Sequence, residues 1–335
     1  MKDFIVGLPK AELHIHIEGT LEPELMFTLS KRNNIKLPFQ SIEEVHQAYH
    51  FHNLASFLSI YYQCASVLIE EQDFYDLTFA YLQLANIQNI RHIEIFFDPQ
   101  THTKRGISFD TVIHGIHRAL VDAKKEFNIS SHLIMCFLRD LSVDSAAETL
   151  QSALAFKDWI IAVGLDSAEM HNPPNKFTQV FNDARKNGFL TVAHAGEEGP
   201  PEYIWEALNE LKVKRIDHGV RCLEDPILVE ELVERQIPLT VCPVSNIKLQ
   251  VFKTMAHHTI KKMLDKGLRV TINSDDPGFF KENLNNNFIA VQEAFGFSKQ
   301  NLYQFAKNSF LASFISPPEL QKFLNELDDY YANSQ

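Results

Sequence analysis

The amino-acid sequence predicts a (β/α)8 TIM barrel, in which eight parallel strands close into a ring inside a layer of helices. Two observations predict this fold. Short apolar runs rich in β-forming residues alternate with helical stretches along most of the chain, as in a parallel sheet. Polar residues of unusual kinds follow several of these runs, at the carboxyl ends where barrel active sites lie. Since no Pro/Gly-rich linker or charge run divides the 335 residues, we expect one domain over residues 1–335.

Hydrophobic periodicity places the elements. Strands are predicted at residues 12–17, 90–97, 132–138, 160–165, 190–194, 213–217, 238–242 and 269–273. Helices are predicted between them at residues 109–127, 142–157, 176–187, 200–211, 225–235 and 259–266. After the first strand, helical spacing at residues 21–32, 41–50, 55–69 and 72–89 predicts a helical insertion over about residues 20–89. Phe51 and Phe57 in this insertion are expected either in the core or over a pocket, and residues beyond Leu284 form outer helices.

Bulk composition excludes several classes of function. Hydrophobic residues make up 45% and charged residues 22%, as in ordinary globular proteins. The net charge of −12 argues against nucleic acid or an anionic membrane as the main partner. No apolar run reaches the roughly 18 residues of a transmembrane helix, and the first residues lack the apolar centre of a signal peptide. Four cysteines without a CxxC pair favour reduced thiols, so we expect a cytoplasmic protein.

The first strand carries two histidines on one face. Apolar and polar residues alternate from Leu13 to Glu18, so His14, His16 and Glu18 point the same way. Two imidazoles separated by one residue can both reach the same metal ion. Outward-facing polar residues of an edge strand would show the same alternation, but the other face of this strand is too apolar for that interpretation.

The fifth strand ends in a related pattern. Its apolar run stops at His194, and Ala195, Gly196 and Glu197 follow. The two small residues are expected to leave room near the backbone for a metal or ligand, and Glu197 is close enough to act on what His194 binds. A single histidine at a strand end is often structural. Its coincidence with polar residues at other strand ends is what favours a ligand.

Two further strands also end in polar residues. The sixth runs into Asp217 and His218, and the eighth into the adjacent Asp275 and Asp276. Adjacent carboxylates after a buried strand are costly unless a cation or hydrogen bonds stabilise them. Because the carboxyl ends of barrel strands converge on one mouth, we expect three imidazoles and one carboxylate in one site. That donor set suits zinc and leaves a position for water.

Taken together, these motifs resemble the adenosine/adenine deaminase family of the amidohydrolase superfamily. They occur in the family's order over nearly the whole chain: His14-Ile-His-Ile-Glu-Gly19, His194-Ala-Gly-Glu197, Arg215-Ile-Asp-His-Gly219, Cys242-Pro-Val-Ser-Asn246 and Ser274-Asp-Asp-Pro277. The resemblance implies a (β/α)8 barrel of the metal-dependent hydrolase type, in agreement with the strand count. It implies one Zn²⁺ per chain, held by His14, His16, His194 and Asp275.

The resemblance also implies catalytic roles. Glu197 is expected to protonate a ring nitrogen of a purine, and His218 to orient and deprotonate the zinc-bound water. Asp276 is expected to hydrogen-bond the ring nitrogen on the opposite side. Water then attacks C6 and ammonia leaves, which requires an acid and an activated water on opposite sides of one carbon.

Three departures from the nucleoside-deaminase pattern favour the adenine deaminase branch. Glu18 stands where adenosine deaminases usually have an aspartate that meets the ribose, and Glu169 and Asp217 stand where glycines are common. A glutamate at 169 adds bulk where a sugar could lie, and its carboxylate could accept the imidazole N–H that only the free base has. We therefore expect Glu18, Glu169 and Asp217, with Asp276, to bind adenine for conversion to hypoxanthine in purine salvage. The alternative for Glu169 is a pairing at the barrel rim, away from the site.

Other functions are less well supported by the sequence. Adenosine deaminase is the nearest alternative. A binuclear hydrolase commonly has a bridging lysine at the end of strand four, where this chain has Asp166-Ser-Ala-Glu169. A nucleotide deaminase would need a basic phosphate clamp, but the strand ends are acidic. A barrel without catalysis would have lost Glu197, His218 or Asp276. The expected partner is a small molecule, and a homo-oligomer is left open.

Overall fold

The computed structural model describes residues 1–334, and eight parallel strands form its central sheet in chain order. The ring closes where the backbone after the last strand pairs with the first. There, His16 N donates to Asp275 O and Asp275 N donates to His14 O, each over 3.1 Å. The strands are β1 (Lys10–His16), β2 (Ile90–Phe97), β3 (Ser130–Leu138), β4 (Ile160–Asp166), β5 (Leu190–Ala195), β6 (Arg215–His218), β7 (Pro238–Val241) and β8 (Arg269–Ile272).

The predicted barrel is confirmed, with differences at strand ends. β1 stops at His16, and the chain then enters a 3₁₀ turn over Glu18–Thr20. Glu18 is therefore not a third member of the alternating face. β6 begins at Arg215, two residues later than predicted, because Lys212 in the left-handed conformation ends the preceding helix.

The helices lie between and outside the strands. They are α1 (Lys2–Gly7), α2 (Pro23–Arg32), α3 (Ile42–Ala48), α4 (Leu54–Ala65), α5 (Glu71–Ile87), α6 (Pro99–Thr103), α7 (Phe109–Phe127), α8 (Val143–Ala153), α9 (Thr178–Lys186), α10 (Pro201–Glu206), α11 (Pro226–Glu234), α12 (Pro243–Lys248), α13 (Ile260–Asp265), α14 (Pro277–Phe280), α15 (Leu284–Phe295), α16 (Lys299–Ala312) and α17 (Pro317–Asn333). Short 3₁₀ helices span Leu154–Phe156, Pro174–Phe177, Cys222–Glu224 and Met255–His257, and α10 continues as a π-helix over Ala207–Leu211. The predicted insertion is present as α2–α5.

Local sequence explains where the best-defined helices begin and end. Ser108 accepts from Thr111 N at the start of α7, and Asn128 ends that helix with a φ of 56°. Asn53 and Ser56 form a reciprocal capping box at the start of α4. This cap fixes the direction in which α4 leaves the preceding loop, and α4 lies over the mouth of the barrel.

The C-terminal helices seal the outside of the barrel where β1 meets β8. Ala11 N in β1 donates to Ser309 Oγ over 3.2 Å, and Asn308 Nδ2 donates to Val270 O in β8 over 2.9 Å. Inside the barrel, Arg215 is fully buried and forms ion pairs with Glu94 and Asp217. No helix within residues 1–334 is long and apolar enough to cross a membrane.

Candidate active site

Polar side chains from several strand ends meet at one mouth of the barrel. The backbone turns sharply at two of them, since His218 and Asp275 have φ values of 66° and 68°. This left-handed conformation is uncommon outside glycine and often marks functional sites. The side chains that converge are His14 and His16 of β1, His194 of β5, His218 of β6, and Asp275 and Asp276 after β8.

The spacing of the predicted ligands suits one zinc ion. His16 Nε2 lies 3.1 Å from His194 Nε2 and 3.5 Å from Asp275 Oδ1, and His14 Nε2 lies 3.2 Å from the same oxygen. Ligand atoms about 2.1 Å from a tetrahedral zinc ion lie about 3.4 Å apart. His14 Nε2 is buried without a hydrogen-bond partner in residues 1–334, which fits a metal-facing nitrogen. These residues therefore fit the implied metal.

The charge states of these groups also suit a cation. Burial lowers the pKa of His16 to about 4, and burial with His14 nearby holds the pKa of His194 well below its usual value. Both imidazoles are thus neutral at neutral pH, the form that binds metals. Burial alone would raise the pKa of Asp275, but the imidazoles of His14 and His218 outweigh it and the pKa is lowered.

Thr240 and Asp217, which are not among the predicted metal ligands, orient the imidazole of His14. Thr240 Oγ1 donates to Asp217 Oδ1 over 2.8 Å, so its lone pair accepts from His14 Nδ1, 3.0 Å away. The proton of His14 therefore lies on Nδ1 and leaves Nε2 for the metal, the usual second-layer arrangement at histidine ligands. Asp217 also lies 3.8 Å from His194 Nδ1. The predicted substrate contact of Asp217 is not found, because this carboxylate faces Arg215 and Thr240 inside the barrel.

Glu197 and Asp276 face the pocket as acids. Burial, followed by repulsion from Asp275, raises the pKa of both carboxyl groups well above their usual values. Each can therefore carry a proton at neutral pH. His218 Nε2 lies 3.6 Å from Glu197 Oε2 and 3.9 Å from Asp275 Oδ2, and burial with His14 nearby lowers the pKa of His218. A neutral imidazole beside the metal ligands can accept a proton.

Glu169 does not reach the pocket, in contrast to its predicted contact with adenine. Its Oε1 accepts from Gly196 N over 2.6 Å, and its Oε2 accepts from the backbone N–H groups of Glu197, Glu198 and Gly199 over 3.1, 2.8 and 2.7 Å. A side chain at position 199 would meet the Glu169 carboxylate at 2.6 Å, so only glycine permits this approach. Glu169 thus holds the loop that carries Glu197.

Two further expectations need correction. Glu18 accepts from His102 Nε2 over 2.8 Å and from Asp98 N over 3.2 Å, so its carboxylate is turned towards α6 rather than the substrate. Gly196 does not leave room for a metal. Its φ is 72°, and a Cβ there would lie 2.4 Å from Ile204 Cδ1, so glycine serves the turn and its packing.

Two carboxyl groups that the sequence reasoning missed line the pocket. Asp98 follows β2 and Asp166 ends β4. Both fall at strand ends, so the rule applied to the other strands would have found them. Asp166 Oδ2 lies 3.5 Å from His16 Nδ1, and burial raises its pKa to about 7. Burial and the neighbouring Asp166 raise the pKa of Asp98 well above its usual value. Within the described residues, ligand atoms within 4.8 Å of one another form two groups, one of His14, His194, His218 and Asp275, and the other of His16, Asp98 and Asp166.

The insertion roofs the pocket with apolar side chains. The cavity has a volume of about 40 Å³ and is covered from α4 by Leu54, Phe57, Leu58, Tyr61 and Tyr62. Phe57 thus covers the pocket, whereas Phe51 packs behind it with ring centroids 5.2 Å apart. An apolar roof above a charged floor excludes water from the reacting groups, which strengthens their electrostatic interactions.

A closed parallel barrel with histidines and an aspartate converging at its mouth defines a metal-dependent hydrolase of the amidohydrolase type. A family model described as adenosine deaminase matches residues 9–330, and the chain belongs to that family.

The relatives of this chain include an adenine deaminase of Hahella chejuensis, 59% identical over 99% of this chain and 100% of the relative. Among solved structures, an adenine deaminase from Arthrobacter aurescens superposes with a TM-score of 0.95 and 47% identity, over 96% of this chain and 99% of that one. An amidohydrolase from Burkholderia ambifaria, solved with bound Zn, has a TM-score of 0.91 and 27% identity, over 99% and 94% of the two chains.

Proposed function

We propose that the protein deaminates free adenine to hypoxanthine and ammonia, with one zinc ion held by His14, His16, His194 and Asp275. The observation that carries the proposal is the pocket itself, in which an acid, a base and three of the four predicted metal ligands, His16, His194 and Asp275, face one small cavity. The full-length similarity to proteins named adenine deaminase supports the same reaction.

A zinc ion bound by these four residues would lower the pKa of a water molecule enough for it to attack carbon at neutral pH. The residues of the chain supply proton transfer and orientation. Glu197 donates a proton to N1 of the purine ring as C6 loses its double bond to that nitrogen. His218 accepts the proton that the attacking water gives up. Asp276, protonated and on the other side of the pocket, donates a hydrogen bond to N7.

The walls of the pocket favour the free base over the nucleoside. Adenine has an N–H on its imidazole ring, which the sugar replaces in adenosine. Asp98 and Asp166 provide carboxyl oxygens that can accept this N–H, a role assigned here to them instead of Glu169. A site built to pair with a donor rejects an analogue without it strongly.

The proposal also covers the cellular compartment, the partner and the oligomeric state of the protein. All four cysteines, Cys64, Cys136, Cys222 and Cys242, are buried and unpaired. Free thiols persist in reducing compartments, so we place the protein in the cytoplasm. Its partner is the small-molecule substrate. Gel filtration with light scattering decides between a monomer and a homo-oligomer.

The test measures ammonia release from adenine and adenosine side by side, with metal analysis of the same purified sample. We expect about one zinc per chain and a kcat/KM for adenine about 10,000- to 100,000-fold above that for adenosine, the range that a hydrogen-bonding site achieves. A higher kcat/KM for adenosine would overturn the substrate, and two tightly held metals per chain would overturn the single-metal site.

A further inference from the structure

A buried hydrogen-bonded chain connects the backbone of α13 with Glu197. Ile260 N donates to His258 Nδ1 over 3.0 Å, His258 Nε2 lies 3.1 Å from Asn246 Oδ1, and Asn246 Nδ2 donates to Glu197 Oε1 over 3.2 Å. All three side chains are buried, with 0–4% exposure. Asn246 belongs to a motif noted in the sequence, but neither it nor His258 has a role in the reaction described so far.

The backbone fixes the direction of every hydrogen bond in this chain. A backbone N–H can only donate, so His258 Nδ1 must be the nitrogen without a proton. The proton of the neutral imidazole then lies on Nε2 and is donated to Asn246 Oδ1. The amide of Asn246 is thereby oriented, because its oxygen faces His258 and its NH₂ group faces Glu197. The opposite orientation of the amide would turn its NH₂ group towards His258 Nε2–H, so that two donors would face each other.

The surroundings of His258 hold this arrangement. The ring of Phe252 packs against the imidazole with centroids 4.5 Å apart. Burial lowers the pKa of His258 to about 3, so the ring stays neutral at working pH. The last donor in the chain reaches Oε1 of Glu197, while Oε2 points to the other side, 3.6 Å from His218 Nε2.

We propose that His258 and Asn246 are positioning residues that fix the acid proton of Glu197 on Oε2, the oxygen that faces the pocket. Asn246 Nδ2 donates a hydrogen bond to Oε1, so a proton on Oε1 would place two donors against each other. Oε2 has no such donor and can carry the proton. In the transfer step the Oε2–H bond breaks and an N–H bond forms on the substrate ring. The electron pair stays on Glu197, and Asn246 stabilises the resulting carboxylate. This inference rests on the proposed function.

The test compares two substitutions of His258 that differ in one hydrogen bond. His258→Gln places an amide near the position of Nε2 and can still donate to Asn246, whereas His258→Leu fills similar space without a donor. We expect the His258→Leu variant to lose about 100-fold in kcat, the lower range for a displaced general acid, and the His258→Gln variant to recover about 10-fold of that loss. KM for adenine and zinc content should stay close to wild type in both. The exposed neighbour His257, substituted by Leu, is the matched control with unchanged kcat.

An isosteric variant provides a second test that does not depend on how the His258→Leu variant folds. Asn246→Asp keeps the shape of the side chain but offers a carboxyl oxygen to Oε1, which draws the acid proton to the wrong oxygen. We expect its kcat to fall by at least about 100-fold with zinc retained. Equal kcat losses in the Leu and Gln variants, or wild-type kcat in Asn246→Asp, would overturn the inference. If wild-type protein itself releases no ammonia from adenine, the proposed function fails instead.

Discussion

Asp166 and Glu169 lie close together after β4, yet the structure places them in opposite environments. Glu169 accepts hydrogen bonds from the four successive backbone N–H groups of residues 196–199. The side chain of Asp166 accepts no hydrogen bond from a backbone N–H within the described residues, and its neighbours are the carboxyl group of Asp98, the thiol of Cys136 and the ring of His16. The carboxylate of Glu169 is therefore fully hydrogen-bonded to the backbone, whereas the carboxyl group of Asp166 has no backbone donor and faces the pocket.

The number of hydrogen-bond donors around each buried carboxylate indicates whether it stabilises the fold or can contact a ligand. Hydrogen bonds to a charged group contribute roughly 1.5–3 kcal/mol each, so Glu169 is stabilised by its partners and holds the loop in one conformation. A buried carboxyl group without such donors costs free energy until a ligand or a proton compensates it. We therefore assign positioning to Glu169 and ligand contact to Asp166, although the sequence favoured substrate contact for Glu169 and gave no role to Asp166.

The largest expected effect removes the metal, on which turnover depends in the proposed function. Asp275→Ala or His16→Ala deletes one of the four proposed ligands, so we expect loss of bound zinc and a fall in turnover by more than about 10,000-fold. Elemental analysis and ammonia release measure the two quantities. A variant that keeps stoichiometric zinc would show that the substituted residue is not a ligand.

A smaller loss of turnover is expected when the proposed proton donor, Glu197, is changed and the proposed metal ligands are kept. Glu197→Gln keeps the shape and the hydrogen bond from Asn246 but cannot donate the acid proton. We expect unchanged zinc content and a fall in kcat of about 100- to 10,000-fold, the range for general acid–base catalysis. Near-normal turnover would contradict the role of Glu197 as proton donor.

Substitution of Asp166, the carboxyl group that faces the pocket, should affect adenine binding more than stability. Asp166→Asn removes an acceptor for the imidazole N–H of adenine, so we expect kcat/KM for adenine to fall by about 10- to 100-fold. The thermal midpoint should be equal to or above that of wild type, because a buried charge without donors is lost. Steady-state kinetics and thermal unfolding of one preparation measure both.

The matched substitution alters the saturated carboxylate. Glu169→Gln turns an NH₂ group towards backbone donors and leaves at least one of them unpaired, at a cost of about 1–3 kcal/mol. We expect a thermal midpoint several degrees lower and about a 10-fold loss in kcat as the Glu197 loop loosens. The preference for adenine over adenosine should not change. A smaller ratio of kcat/KM for adenine to kcat/KM for adenosine in this variant would show that Glu169 contacts the substrate.

The smallest expected effect concerns pH and the fixed imidazole of His258. Its folded pKa of about 3 lies below the ordinary value of 6.5. Between these values the unfolded chain binds a proton that the folded protein does not, so stability falls as pH decreases from about 6.5 towards 3. The thermal midpoint of wild type should therefore drop more steeply from pH 6.5 to 5 than that of His258→Gln. Parallel curves would show that His258 takes up a proton in the folded state.

Much of the site could be predicted because the signals are local. The alternation from Leu13 to His16 and the apolar runs that end at His194 and Asp275 place these side chains at strand ends. Applying the same rule to β2 and β4 would have added Asp98 and Asp166. The roles of Glu18, Glu169 and Asp217 could not be obtained this way, because each depends on a hydrogen-bond donor from another part of the fold.

Periodicity and strand ends are properties of neighbouring residues, so the eight-stranded barrel, the helical insertion and the set of polar residues at its mouth could be predicted from the sequence. What each carboxylate does depends on residues that are distant along the chain. The donors that saturate Glu169 come from residues 196–199, and the amide that fixes Glu197 is itself fixed by His258 and the backbone of Ile260. A carboxylate binds a substrate only where the fold leaves its oxygens without donors, and no local pattern contains that information.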